Sequence, residues 1–261
     1  MNHIEKILVA LDESVRKMLG GRDVGVLFSG GIDSCVIAVL ANRCSKASLY
    51  TVGMEGSYDL KVAESTANRL DMEWKGIVLC EDDVVKAIKL LKGMVKDIGP
   101  LTISFEVPLL MVATTAKEGI LTSGQGADEL FGGYDRYVRM DRGLLREEMR
   151  RDIAALIEHG SPMEKAIASK FGKDLRHPFL DPSVVEASSD LPMDLVIHGG
   201  ERKVALRHVA RSLGLIEEAD RKKKAAQYGS GVMKVMRSMA KRQGMDLRTW
   251  VERTDPDALR G

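Results

Sequence analysis

The chain has 261 residues and a formal net charge of +1, from 39 Lys and Arg against 38 Asp and Glu. That balance gives no electrostatic case for nucleic acid as the main partner. Apolar content of 44% with no run of membrane-spanning length points to a cytoplasmic globular protein that does not enter a membrane.

Residues 3–19 carry Ile4, Leu8, Leu11, Val15 and Met18 at helical spacing and predict an amphipathic helix. Strands are expected near 24–28, 47–53, 74–79 and 119–122, with helices near 34–45, 58–70, 82–92 and 106–117 between them. That alternation is the pattern of an α/β doubly wound parallel sheet, expected over residues 1–140. After Tyr134 the strand signals fade. Helical stretches near 135–158, 161–171, 183–190, 202–213 and 232–243 predict a helical C-terminal lobe over 141–261, separate or continuous with the first unit. Residues 252–261, with Asp255-Pro256-Asp257 and Gly261, read as a frayed end. The cysteines, Cys35, Cys44 and Cys80, form no Cys-x-x-Cys pair, which argues against zinc and against a disulfide framework.

The first expected strand, Val24-Gly25-Val26-Leu27-Phe28, runs into Ser29-Gly30-Gly31-Ile32-Asp33-Ser34 and then an apolar helix. Glycines let the backbone approach an anion closely. The open N–H groups and dipole of the following helix supply the positive end. The loop lacks the Gly-Lys-Ser/Thr ending of a Walker A motif. It is therefore read as a pyrophosphate cradle for cleaving ATP to AMP and pyrophosphate, the alternative being an ordinary tight turn. Asp33 is suited to Mg²⁺, a hard cation that takes carboxylate oxygen and bridges phosphates, or alternatively to the helix dipole alone.

The fourth strand leads into Ser123-Gly124-Gln125-Gly126-Ala127-Asp128-Glu129-Leu130-Phe131-Gly132-Gly133-Tyr134. Four glycines and two adjacent carboxylates suit a loop lying against a ligand better than regular structure, although a solvated acidic loop would share the composition. In an open α/β sheet such loops gather at the carboxyl ends of the strands, so this one is expected to face residues 29–34 across one crevice.

These two blocks resemble the ATP-site loops of the synthetase domain of the asparagine synthetase family, within the ATP pyrophosphatase superfamily and its adenine nucleotide alpha-hydrolase-like fold. β-Lactam synthetases share the domain. The resemblance continues through Leu49-Tyr50-Thr51-Val52-Gly53 with Asp59-Leu60-Lys61-Val62-Ala63, through Arg176-His177-Pro178-Phe179-Leu180-Asp181, through Lys203-x-x-Leu206-Arg207, and through Arg221-Lys222-Lys223 ahead of Gln227-Tyr228-Gly229-Ser230-Gly231. It implies that Ser29, Gly30, Gly31, Asp33, Ser34, Ser123 and Gly124 hold ATP, with adenine beside Val52 and Gly124. It implies Mg²⁺ on Asp33 and Asp128, and a catalytic group of Lys223, Gln125 and Glu129. The carboxylate substrate would meet Asp174, Arg176, Asp181 and Arg207, although Arg207 equally suits a helix surface and Lys223 lies in a basic run that solvent would also explain.

The family implies AMP-forming ligation of a carboxylate, aspartate first, with ammonia. The stand-alone length implies no N-terminal glutaminase, so ammonia would come free or from a separate glutaminase; a homo-oligomer is compatible. One departure is Gln125, where asparagine synthetases have Glu and β-lactam-forming relatives a Tyr paired with a Glu at the position of Asp174. Another is Ser104, where bacterial members have Arg. Three readings follow: asparagine formation, the same adenylation with another acid or amine, or a non-catalytic nucleotide-binding subunit. A tRNA-modifying pyrophosphatase is a further alternative without support from charge or cysteine pairs.

Overall fold

The computed structural model of the protein describes residues 1–221 and 229–254. Five strands, β1 (Asp23–Leu27), β2 (Lys46–Met54), β3 (Trp74–Leu79), β4 (Ile120–Thr122) and β5 (Asp174–Arg176), form one sheet in the order β3-β2-β1-β4-β5, every pair parallel. Helices α1 (His3–Leu19), α2 (Ile32–Cys44), α3 (Tyr58–Arg69), α4 (Glu81–Met94) and α5 (Pro100–Thr115) pack around it.

Parallel strands covered on both faces read as apolar runs, and β2 is buried from Ala47 through Gly53. Along it the side chains alternate between two cores. Ala47 and Leu49 join the cluster that contains α1, α2 and the helix Val204–Ser212. Tyr50 and Val52 join the cluster built by α4, α5 and the helices Val232–Arg242 and Leu247–Arg253. Residues beyond position 140 therefore build both cores. α1 begins at the Asn2–Glu5 capping box, which fixes its start where the apolar spacing begins.

Three features depart from the sequence expectation. β5 emerges from the expected helical lobe and extends the sheet beside β4; Asp-Leu-Arg offers a single apolar residue and no periodicity to announce it. The helix expected over 135–158 is broken, because Asp141 turns its carboxylate onto Gly143 N–H at 2.8 Å and starts a new helix, Arg142–Ala155, followed by a π-helical turn, Leu156–Gly160. Residues 252–254 are not frayed: Lys92 Nζ donates to the carbonyls of Val251, Glu252 and Thr254 at 2.9, 2.8 and 2.7 Å, closing the helix that buries Trp250. Residues 255–261 lie outside the described residues.

Candidate functional site

From β1 the chain winds outward to β2 and β3 on one side and later to β4 and β5 on the other. The carboxyl ends of β1 and β4 thus flank the switch point of the sheet, where open α/β folds hold ligands. Both glycine-rich loops emerge there.

In the first loop Gly30 has φ +69°, and a Cβ on it would sit 3.0 Å from the Ala63 backbone, so glycine alone lets the turn pack on α3. Ser34 Oγ donates to Gly31 O at 3.1 Å and accepts Ser29 N–H at 3.3 Å, while Ser29 Oγ accepts Gly31 N–H at 3.3 Å. These hydroxyl contacts curl residues 29–34 around the first turn of α2, which has no side-chain cap of its own. Arg221 Nη1 donates to Gly30 O at 2.7 Å and braces the loop from behind.

The second loop lies directly on the first. A Cβ on Gly124 would meet Asp33 Cβ at 2.8 Å and Ser34 N at 3.0 Å. Asp128 and Glu129 follow on the short helix Ala127–Phe131. Asp33 and Asp128 converge on one cation, Lys203, whose Nζ is 2.5 Å from Asp33 Oδ1 and 2.7 Å from Asp128 Oδ1. Lys203 is 2% exposed and adopts φ +59° just before the helix Val204–Ser212. Burial by itself pulls its ammonium down, but the carboxylates of Asp128 and Asp33 together hold it above its ordinary range. Gly133 makes room, since a Cβ there would fall 1.7 Å from Asp128 Oδ1 and 2.2 Å from the Lys203 stem. Glu129 is buried and accepts the Tyr134 hydroxyl at 2.5 Å; burial pushes its carboxyl up despite that bond. Buried beside Glu129 and Asp128, the Tyr134 hydroxyl is itself held above its ordinary range.

On the β5 side, Gln125 Nε2 donates to Glu164 Oε1 at 2.8 Å, and Glu164 Oε2 lies 3.1 Å from His177 Nε2. On the β2 side, Met54 N–H donates to Ser230 O at 2.8 Å, and a Cβ on Gly229 would overlap Asp59 Oδ1 at 2.1 Å. Burial pushes the Asp59 carboxyl up to about 6. Gly229 and Ser230 thus lie at the carboxyl end of β2; Lys223 lies outside the described residues.

The structure brings Ser29, Gly30, Gly31, Asp33 and Ser34 of the first loop against Gly124 and Asp128 of the second through the contacts above, and Ser123, Gln125 and Glu129 stand beside them in the second loop. The Val52 side chain is buried in the core cluster beneath the sheet end, leaving backbone as its only face toward a ligand. Asp174, Arg176, Asp181 and Arg207 are not brought to the two loops by any of their hydrogen bonds. Arg176 Nε donates to Asp174 at 2.9 Å and another of its nitrogens reaches Met18 O. Asp181 caps the helix Pro182–Ser189 and pairs with Lys17 at 3.1 Å; burial works against its charge, yet the Ser183 bonds and Lys17 keep its carboxyl below the usual range. Arg207 Nε donates to Arg202 O at 2.8 Å and Nη1 to Ala219 O, and Nε also lies 3.6 Å from Glu201 Oε1, so its fork serves backbone carbonyls and a neighbouring carboxylate. Lys203 entered the sequence reading only as the head of the Lys203-x-x-Leu206-Arg207 stretch and not as a site residue, because its partner Asp33 lies 170 positions away.

Among the described residues no three His, Cys, Asp or Glu side chains cluster as a metal site. Asp33 and Asp128 nevertheless share one cation at 2.5 and 2.7 Å, so the pair fits a hard divalent ion that takes its remaining oxygens from phosphate and water. No helix among the described residues is long and apolar enough to cross a membrane.

The family model for asparagine synthase matches residues 6–166 and 142–254. A protein of Methanocaldococcus jannaschii named as a glutamine-hydrolyzing asparagine synthetase is 32% identical over 275 residues, covering 90% of this chain and 51% of its own length. Asparagine synthetase B of Escherichia coli is 27% identical over 223 residues, covering 77% of this chain and 40% of its own. The chain thus spans about half or less of the curated relatives it matches. Among solved structures, NMN synthetase from Francisella tularensis aligns with TM-score 0.45 and 13% identity over 97% of this chain and 92% of that one. The U34-tRNA thiolase NcsA from Methanococcus maripaludis aligns with TM-score 0.43 and 17% identity over 96% and 79%.

Proposed function

The chain belongs to the asparagine synthase family, and from that premise we propose that it is a cytoplasmic ATP-dependent amide ligase that activates a carboxylate as an acyl-adenylate and transfers the acyl group to ammonia. The observation that carries this reading is the junction of the two loops, where Asp33 and Asp128 meet on Lys203 at the switch point of the sheet. A cleft prepared for triphosphate needs carboxylates for its metal and a fixed cation for its oxygens, and both are at that junction.

In the proposed reaction the substrate carboxylate, aspartate in the first instance, attacks the α-phosphorus of ATP. The new P–O bond makes the acyl-adenylate as the bond to the β-phosphate oxygen breaks and pyrophosphate leaves. The ammonia nitrogen then bonds to the acyl carbon, AMP departs with the C–O bonding pair, and the nitrogen releases one proton. Residues 29–34 hold the phosphates through backbone N–H groups at the start of α2. Lys203 stays charged in that setting and faces the oxygens that gain negative charge. Mg²⁺ on Asp33 and Asp128 would screen the phosphates and favour pyrophosphate departure. Lys223, which precedes Ser230 by seven residues in sequence, is given a role on the same charge by the family resemblance, and ammonia comes free or from a glutaminase partner.

A second reading keeps this chemistry with another acid or amine. Gln125 favours it, because an amide cannot carry charge where relatives have a carboxylate. The test is pyrophosphate release from Mg·ATP with aspartate and ammonium against a panel of carboxylic acids. AMP, pyrophosphate and asparagine together support the first reading; release with a different acid selects the second. ATP binding without release under any acid would remove both and leave the nucleotide-binding subunit.

A further inference from the structure

Gln125 belongs to a closed ring of four side chains. Its amide Nε2 donates to Glu164 Oε1 at 2.8 Å, and Glu164 Oε2 lies 3.1 Å from His177 Nε2. His177 Nδ1 is 3.1 Å from Ser123 Oγ, which in turn accepts the Gln125 backbone N–H at 3.3 Å. The members come from separate places: residues 123 and 125 follow β4, His177 follows β5, and Glu164 stands in the first turn of the helix Ser161–Ser169. Below them, Glu106 of α5 is 4% exposed and its Oε2 has no hydrogen-bond partner. Burial, reinforced by the Glu164 charge, pushes the Glu106 carboxyl up to about 8.

An amide has a donor end and an acceptor end. Glu164 holds the Nε2 end by one of its two N–H groups, and Oε1 is the acceptor that Gln125 has to offer. On the β2 side of the crevice Ser230 and Gly229 pack on Met54 and Asp59. Gln125 stands on the opposite, β4–β5 side, and the acyl group and its nucleophile are assigned there. An amine arrives with N–H donors and must be held by acceptors so that its lone pair faces the acyl carbon.

We propose that Glu164 is the positioning residue of the amine-transfer step: it orients Gln125 so that Oε1 receives the amine, and so supplies from the helix Ser161–Ser169 the carboxylate that position 125 lacks. The role rests on the amide-ligase reading above. His177 Nε2 stands 3.1 Å from the far oxygen of Glu164 without a hydrogen bond to it, and Ser123 ties the ring back to the loop that covers Asp33.

The experiment compares the unaltered protein, Glu164→Gln and the exchange variant Gln125→Glu/Glu164→Gln, with two half-reactions read separately. Carboxylate-dependent exchange of labelled pyrophosphate into ATP reports adenylation, and amide production from ammonium reports transfer. Loss of a charge-assisted hydrogen bond predicts that Glu164→Gln lowers the ratio of transfer to exchange by about tenfold or more, with a raised KM for ammonium. The exchange variant, which restores one carboxylate and one amide, should recover most of that ratio. A third reading needs no catalysis: the Gln125 side-chain amide resonance, identified by its loss in Gln125→Asn, should move in Glu164→Gln. Equal losses in both half-reactions, no recovery in the exchange variant, or an unmoved resonance would overturn the proposal. No exchange in the unaltered protein with any acid would sink the ligase reading and this role with it, while the resonance would still separate a real Gln125–Glu164 pairing from none.

Discussion

Lys203 is almost without solvent between two partly exposed carboxylates, and its removal takes from them a shared, buried counter-charge. Taking one partner from a buried ion group costs about 3 kcal/mol or more. Lys203→Ala should therefore melt several degrees lower, and millimolar Mg²⁺ should return part of the loss by binding the carboxylates of Asp33 and Asp128. Calorimetry with and without the metal checks this; a deficit indifferent to Mg²⁺ would contradict a cation site there. Glu106 gives a pH signature. Its carboxyl titrates near 8 in the fold against an ordinary value of 4.5. Between those values the folded chain keeps a proton that the unfolded chain has released, so rising pH favours unfolding across that window. Glu106→Gln, neutral throughout, should raise Tm at pH 8 and leave it unchanged near pH 4.5. Equal Tm changes at both pH values would mean that Glu106 is ionised or accessible.

The two glycine-rich loops act as one unit because Gly124 rests on the first turn of α2. Gly124→Ala would place a methyl 2.8 to 3.0 Å from Asp33 and Ser34, a contact that real structures avoid. Overpacking of this kind costs about 1–3 kcal/mol, and here it must part the loops. ATP affinity measured by titration calorimetry should drop by about tenfold or more, beyond what the melting temperature explains. Full affinity in Gly124→Ala would mean that the loop contact is incidental to nucleotide binding. These loops were legible in the sequence because their glycines answer to local geometry. β5 and the helix break at Asp141 were not, since a three-residue strand takes its conformation from β4 beside it rather than from its own residues.

The sheet order β3-β2-β1-β4-β5 places one crevice at the centre of the molecule, flanked by two cores that both draw on residues beyond position 140. Ligand binding there should stabilise the entire chain. At a hundredfold excess over Kd, Mg·ATP should add about 2.7 kcal/mol, or roughly 5 °C in Tm for a chain of this size. Asp128→Asn should lose most of that gain when measured against its own unliganded Tm, which falls because Lys203 loses a partner; an unchanged gain would remove Asp128 from the nucleotide site. The α/β alternation, the pyrophosphate loop, the second loop with Asp128 and Glu129, and the family resemblance could all be read from residues, because strand burial, glycine turns and helix starts are decided by neighbours a few positions apart. The Asp33–Lys203–Asp128 junction, the ring joining Gln125 to Glu164 and His177, and the tying of Arg176 and Arg207 to backbone carbonyls could not. Each depends on which distant segments the sheet order sets side by side, and whether a charged side chain meets a carboxylate, a carbonyl or water is settled only once those segments pack.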